Sequence, residues 1–118
     1  LNSAAEQHSQ WMLQTDTFTH TGAGGSSPGD RMAAAGYVFS GAWTNGENIA
    51  WQSEGGPAGI ADDVINLFDA FMNSPAHRAN ILNPNFTEIG IGIEVGVFTV
   101  NGQNWPAVMV TQNFARSS

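Results

Sequence analysis

The 118-residue chain is 42% hydrophobic with four Trp, a content that suits one folded domain over residues 1–118 rather than disorder. Three Arg, no Lys and ten acidic residues leave a net charge of −7, which repels phosphate and excludes nucleic acid and anionic membranes as partners. The absence of cysteine excludes disulfides and thiolate metal sites, and no apolar run reaches membrane-spanning length.

In chain order, residues 1–15 read as a helix whose apolar face carries Leu1, Ala4, Ala5, His8, Trp11 and Met12. His8 on that face is expected as a hydrogen-bonded core histidine rather than a ligand. Thr21–Gly29 is a Gly/Ser loop, and Ser27, Pro28 and Asp30 then form a capping-box start for a helix that Gly36 can end. Tyr37–Trp51 is an irregular or strand-like passage rich in aromatics, and Gln52–Gly59 is a second loop. Ile60–Asn73 is the best helix, with Asp62 and Asp63 in its first turn and Val64, Leu67, Phe68 and Phe71 as its apolar stripe.

The stretch from Ser74 to Val97 organises the rest. Ser74 can cap a short helix and Pro75 sits at its first position. A strand follows, with Ile89, Ile91, Ile93, Val95 and Val97 as an expected core face. Gly90, Gly92 and Gly96 on the other face imply that something packs very close. Asn101-Gly102 is a hairpin turn, returning a strand over 105–115. The expected elements are helices at about 2–15, 28–35, 61–73 and 75–82 and antiparallel strands near 88–99 and 105–115. Helices first and a short sheet last, with no alternation of strand and helix, indicate an α+β fold with helices packed on a short antiparallel sheet.

Three polar residues are candidates for chemistry. In Gly46-Glu47-Asn48-Ile49, Glu47 shares a face with Ile49 and Trp51, and a carboxylate on an apolar face needs a partner. His20, His77 and backbone N–H groups are available. A His20–Glu47–His77 cluster can bind a divalent metal such as zinc with an open position, or it can be a structural hydrogen-bond knot, and the structural reading comes first. Arg78 is expected to clamp loop carbonyls near Asn83–Asn85 or to pair with Glu88. A triad of Ser40, His20 and Asp63 is possible on paper, but no nucleophile-elbow segment supports it.

Several segments, in order along nearly the whole chain, resemble the CAP superfamily of cysteine-rich secretory, antigen-five and pathogenesis-related proteins, and bacterial SCP-like domains within it. They are Ala5-x-x-His8-Ser9, Phe18-Thr-His20, Ser27-Pro-Gly-Asp30-Arg31, Gly46-Glu47-Asn48-Ile49-Ala50, Ser74-Pro-x-His77-Arg78-x-Asn80, Phe86-Thr-Glu88-Ile-Gly90 and Thr111-Gln112-Asn113-Phe114. The resemblance implies an α-β-α sandwich with a cleft that, in eukaryotic members, is lined by two His and two Glu able to hold a divalent metal. His20 and Glu47 fall at the first His and first Glu. Ser74 and Asn85 stand where the second Glu and second His belong, so half the tetrad is kept, and His77 looks like a bacterial replacement. The binding cleft is therefore expected at His20, Glu47, His77 and Asn85, with His20, Glu47 and His77 as metal ligands. The family's leading helix would lie before Leu1, and the chain shows no signal peptide, which reads as a piece of a longer exported protein. The expected role is a secreted, monomeric binding module for a lipid, small molecule or protein. The alternative is a weak metal-assisted or general-base hydrolase using Glu47 and His20.

Overall fold

In the computed structural model, residues 1–53 and 59–117 are described. The elements are α1 (Asn2–Thr15), α2 (Pro28–Ala34), β1 (Thr44–Ser53), α3 (Gly59–Asn73), α4 (Pro75–Leu82), β2 (Glu88–Val100) and β3 (Gln103–Arg116). The expected helices are all present. Their local signals act as read: the Ser27 hydroxyl accepts from the Asp30 amide at 3.1 Å, and the Asp30 carboxylate accepts from the Ser27 amide at 3.0 Å, a complete capping box. Gly36 ends α2 in a left-handed conformation (φ 101°), with Tyr37 N–H donating to Met32 O and Gly36 N–H to Ala33 O, a Schellman motif. Ser74 stands at the α4 N-cap but makes no side-chain cap bond, so Pro75 and the Arg78 N–H to Ser74 O bond start that helix. Of the expected Gln52–Gly59 loop, residues 52 and 53 end β1 and 54–58 lie outside the described residues.

Asn101 and Gly102 both adopt positive φ (52° and 78°), which matches the twist of an antiparallel hairpin, and Val100 pairs with Gln103 across the two-residue turn. The sheet has a third strand. β1, within the passage read as irregular or strand-like, pairs antiparallel with β3 from Thr44↔Arg116 to Ser53↔Ala107. The order is β1-β3-β2, so β3 is the central strand and β2 lies at an edge.

Both faces of β3 are covered. Ala107 and Met109 pack with Met12, Ile49 and Phe98 on one side, while Val108 and Val110 pack with Leu67 and Phe71 of α3 on the other. The layers are thus α1 and α2, then the sheet, then α3 and α4, the expected α-β-α sandwich.

The two faces of β2 correct the expected core. The glycine face is the buried one: a Cβ on Gly92 would stand 2.1 Å from the Glu6 backbone nitrogen and one on Gly90 2.2 Å from the Leu1 carbonyl carbon, so α1 rests directly on the strand backbone. The β-branched face is mostly bare. Ile91 joins the α3 cluster, but Ile89, Ile93, Val95 and Val97 are exposed, Val97 to 59%. The cause is position: α3 and α4 lie over β1 and β3, and the edge strand runs past their cover.

Gly92→Ala should therefore force α1 off the sheet and cost about 3 kcal/mol or more, the upper end of overpacking. Gly96→Ala, where the nearest atom is Leu13 Cδ1 at 3.4 Å, should stay within about 1 kcal/mol. Urea midpoints of the two variants read the difference, and equal midpoints would contradict the close approach of α1.

Candidate functional site around Glu47

Strand alternation puts Glu47 on the α1 and α2 face of β1 beside Ile49, and its side chain is 1% exposed. A carboxylate in that position is costly unless donors surround it. Oε1 accepts from His20 Nδ1 at 2.9 Å. Oε2 accepts from Arg31 Nη2 at 2.7 Å and from Asn113 Nδ2 at 2.9 Å. Asn113 is the β3 partner of Glu47 in register, and Arg31 leaves α2 directly above it. His8 Nε2 lies 3.8 Å from Oε1 but donates to the Thr19 carbonyl at 2.8 Å, which holds the segment leading into His20.

These contacts assign the imidazole protons. His8 faces a carbonyl through Nε2, so Nε2 carries the hydrogen and Nδ1 is a buried lone pair without a partner among the described residues. Burial lowers the His8 pKa from 6.5; attraction to Glu47 offsets part of this, and the Arg31 charge adds to the lowering. His20 donates through Nδ1 on a side chain that is 54% exposed, so in the neutral ring Nε2 is the acceptor.

A cleft of about 540 Å³ opens beside His20, lined by Phe18, Thr19, Ile49, Ala50, Trp51 and His77. His77 reaches it from the far side of β1. Its ring stacks edge-on against Phe71 of α3 at 5.1 Å, and its carbonyl accepts from Asn48, the strand neighbour that points away from Glu47. Burial, then the nearby His20 charge, lowers the His77 pKa from 6.5. His20 and His77 thus share the cleft, while Glu47 lies behind His20 and does not line it.

The expected metal set of His20, Glu47 and His77 does not fit an ion in this arrangement. Among the described residues no three His, Asp or Glu side chains are grouped to hold one. Both Glu47 oxygens already accept, one of them from a guanidinium whose charge repels a cation, and His77 approaches from the opposite sheet face. Asn85 is placed elsewhere too: it is exposed in the turn before β2 and lines a separate groove with Trp43 and Arg116. Arg78 is exposed and its side chain makes neither the loop clamp nor the Glu88 pair. Asp63 accepts from Gln52 at 2.7 Å while His20 is bonded to Glu47, so the paper triad lacks its His–Asp bond.

Arg31 and Asn113 are the functional neighbours that sequence reasoning missed. Asn113 had a readable signal, since Thr111-Gln112-Asn113 is a polar run inside an otherwise apolar strand and each buried member needs a partner. Gln112 meets that need through Asn48 at 3.0 Å, and Asn48 in turn accepts from Asn80 of α4 at 2.8 Å. This second network ties α4 to β1.

Because Glu47 is buried and the Arg31 side chain is only 11% exposed, Glu47→Gln should cost about 3 kcal/mol by leaving the guanidinium without its counter-charge, and Arg31→Met in the same chain should recover a large part. Thermal or urea unfolding checks this; an additive double variant would contradict it. The pH dependence has a definite sign. His8 and His77 bind protons less readily folded than unfolded, so stability is full above about pH 6.5 and falls as pH drops below it. His8→Gln should flatten that acid limb, and an unchanged slope would contradict the assignment.

A family model described as the cysteine-rich secretory protein family, CAP, matches residues 1–114. The chain is 40% identical over 92 residues to YkwD and 31% identical over 94 residues to YlbC, an uncharacterized protein and an uncharacterized membrane protein of Bacillus subtilis (strain 168). These alignments cover 78% and 80% of the chain but 32% and 24% of the relatives, so the chain spans a third or less of their length. Among solved structures, an extracellular protein containing an SCP domain from Bacillus anthracis str. Ames superposes with a TM-score of 0.72 at 28% identity, over 98% of this chain and 31% of that one. An outer surface protein from Borrelia burgdorferi shares the fold, with a TM-score of 0.63 at 20% identity over 100% of this chain and 74% of that one. With the family model covering almost the whole chain and the three-layer fold in agreement, the chain belongs to the CAP family as a bacterial SCP-like domain.

Proposed function

We propose that this domain is an extracellular binding module, one part of a longer exported protein, and that its His20 cleft takes an amphipathic small molecule such as a lipid. The observation that carries this reading is the lining of the cleft: Phe18, Ile49, Ala50 and Trp51 form apolar walls, and among the described residues the side chains there that ionise are the imidazoles of His20 and His77. Such a lining suits an apolar body with one polar head. Glu47 fixes the His20 tautomer and ring plane, so that Nε2 is offered to a donor on the ligand head. Extracellular placement is supported by the descriptions of the Bacillus anthracis and Borrelia proteins, and no described helix is long and apolar enough to cross a membrane.

The hydrolase alternative requires Glu47 to reach a water or a substrate. A side chain 1% exposed, with both oxygens accepting, favours an orienting role instead. Titration of the domain with decanol, followed by NMR, tests the binding reading. Shifts should concentrate on the Trp51 indole, the Ile49 methyls and the His20 and His77 rings, and His20→Ala should weaken binding while the fold persists. Absence of shifts, or shifts at another surface, would refute it.

A further inference from the structure

A second concavity lies at the end of the sheet where β1 begins and β3 ends. It has a volume of about 380 Å³, is lined by Ala42, Trp43, Thr44, Asn83, Asn85 and Arg116, and shares no residue with the His20 cleft. Trp43 is 54% exposed, a large apolar surface left in water. The indole sits on a firm base: its ring lies 4.9 Å from Phe39, which meets Tyr37 edge-on at 4.7 Å, and both of those rings pack on the Ala4, Met32 and Ala115 core. Ser117 Oγ donates to the Val38 carbonyl at 2.9 Å and accepts from the Ser40 amide at 3.3 Å, fastening this aromatic segment to the end of β3.

The polar wall is rich in donors. Asn83 Oδ1 accepts from the Asn85 amide at 2.9 Å, which turns the Asn83 NH₂ into its remaining polar function. Arg116 is exposed, and its guanidinium makes no hydrogen bond or ion pair among the described residues. Among the described residues no carboxylate lines the groove, although the chain has ten acids against three Arg, and Arg31 is committed to Glu47.

We propose that this groove is a saccharide site for a pyranose bearing a carboxylate. The C–H face of a pyranose is apolar and its polarised hydrogens suit the negative face of the Trp43 ring. The amides of Asn83 and Asn85 and the Thr44 hydroxyl meet the ring hydroxyls, and the Arg116 fork receives the carboxylate. A simple anion would leave the indole unused, and an apolar ligand would strand three polar side chains and a charge.

The test titrates the domain with trigalacturonate and a hyaluronan tetrasaccharide, with galactotriose as neutral control and acetate as free carboxylate, read by the Trp43 indole and Asn83 and Asn85 side-chain NMR signals. An acidic sugar should shift all three signals, galactotriose should bind about tenfold more weakly, and acetate should leave Trp43 unmoved. Trp43→Ala should abolish binding, and Arg116→Gln should remove the preference for the acidic sugar; Arg116 is exposed, so its substitution should leave the unfolding temperature unchanged, and Trp43→Phe, which keeps a ring on Phe39, should retain part of the binding. Failure of both acidic sugars to bind, or binding that survives Trp43→Ala, would overturn the site. Equal binding of galactotriose, or competition by acetate at equal concentration, would overturn the role given to the carboxylate.

Discussion

A carboxylate placed in a protein interior obliges its surroundings to supply donors, and in this domain that obligation falls on Glu47. It draws Arg31 down from α2, Asn113 across from β3 and His20 in from the loop after α1, with His8 holding the preceding carbonyl. Four segments far apart in sequence are thereby fixed relative to one another. Removing any single partner leaves a buried polar group unsatisfied, which costs more than the pair contributes when intact. The cleft depends on the same network, because the position of His20 at its mouth follows from its bond to Glu47.

The second constraint is the sheet. As the central strand of the described three, β3 must be covered on both faces, and α1 achieves this on one face by resting on the bare backbone of the neighbouring strand at Gly90 and Gly92. Asn2 and Asp16 at the two ends of α1 accept from the Ile91 and Thr99 amides at 2.9 and 2.8 Å, so the helix also covers both ends of the exposed β2 edge. On the opposite face α3 covers the β1 and β3 side, and the Asn48–Asn80–Gln112 network sets where α4 docks and hence where His77 enters the cleft.

The helices and the hairpin were legible because their signals are local: Ser27-Pro28-x-Asp30 at one helix start, Pro75 at another, the apolar stripe of α3, and Asn101-Gly102 at the turn. The pairing of His20 with Glu47 was legible from the family motifs and from a carboxylate alternating with Ile49. What was not legible depends on layers. Which face of β2 is buried follows from where α1 rests, and the β-branched face pointed to the wrong answer. β1 was harder to read because its buried positions include Glu47 and Asn48, which disguise a strand as a polar turn. His77 and Asn85 were grouped with Glu47 by motif, yet one arrives round the edge of β1 and the other lies at a different groove.

A buried acidic residue beside a histidine can serve as a metal ligand or a base. Here its surroundings make it a structural anchor, and the chemistry it offers is the orientation it imposes on His20. The most direct measurement of that claim is hydrogen exchange in Glu47→Gln compared with the native chain. If Glu47 is the tie, protection should fall together in residues 17–22 and in α2, while the β2–β3 hairpin keeps its protection. Unchanged protection in those two segments, or a uniform loss across the whole domain, would contradict it.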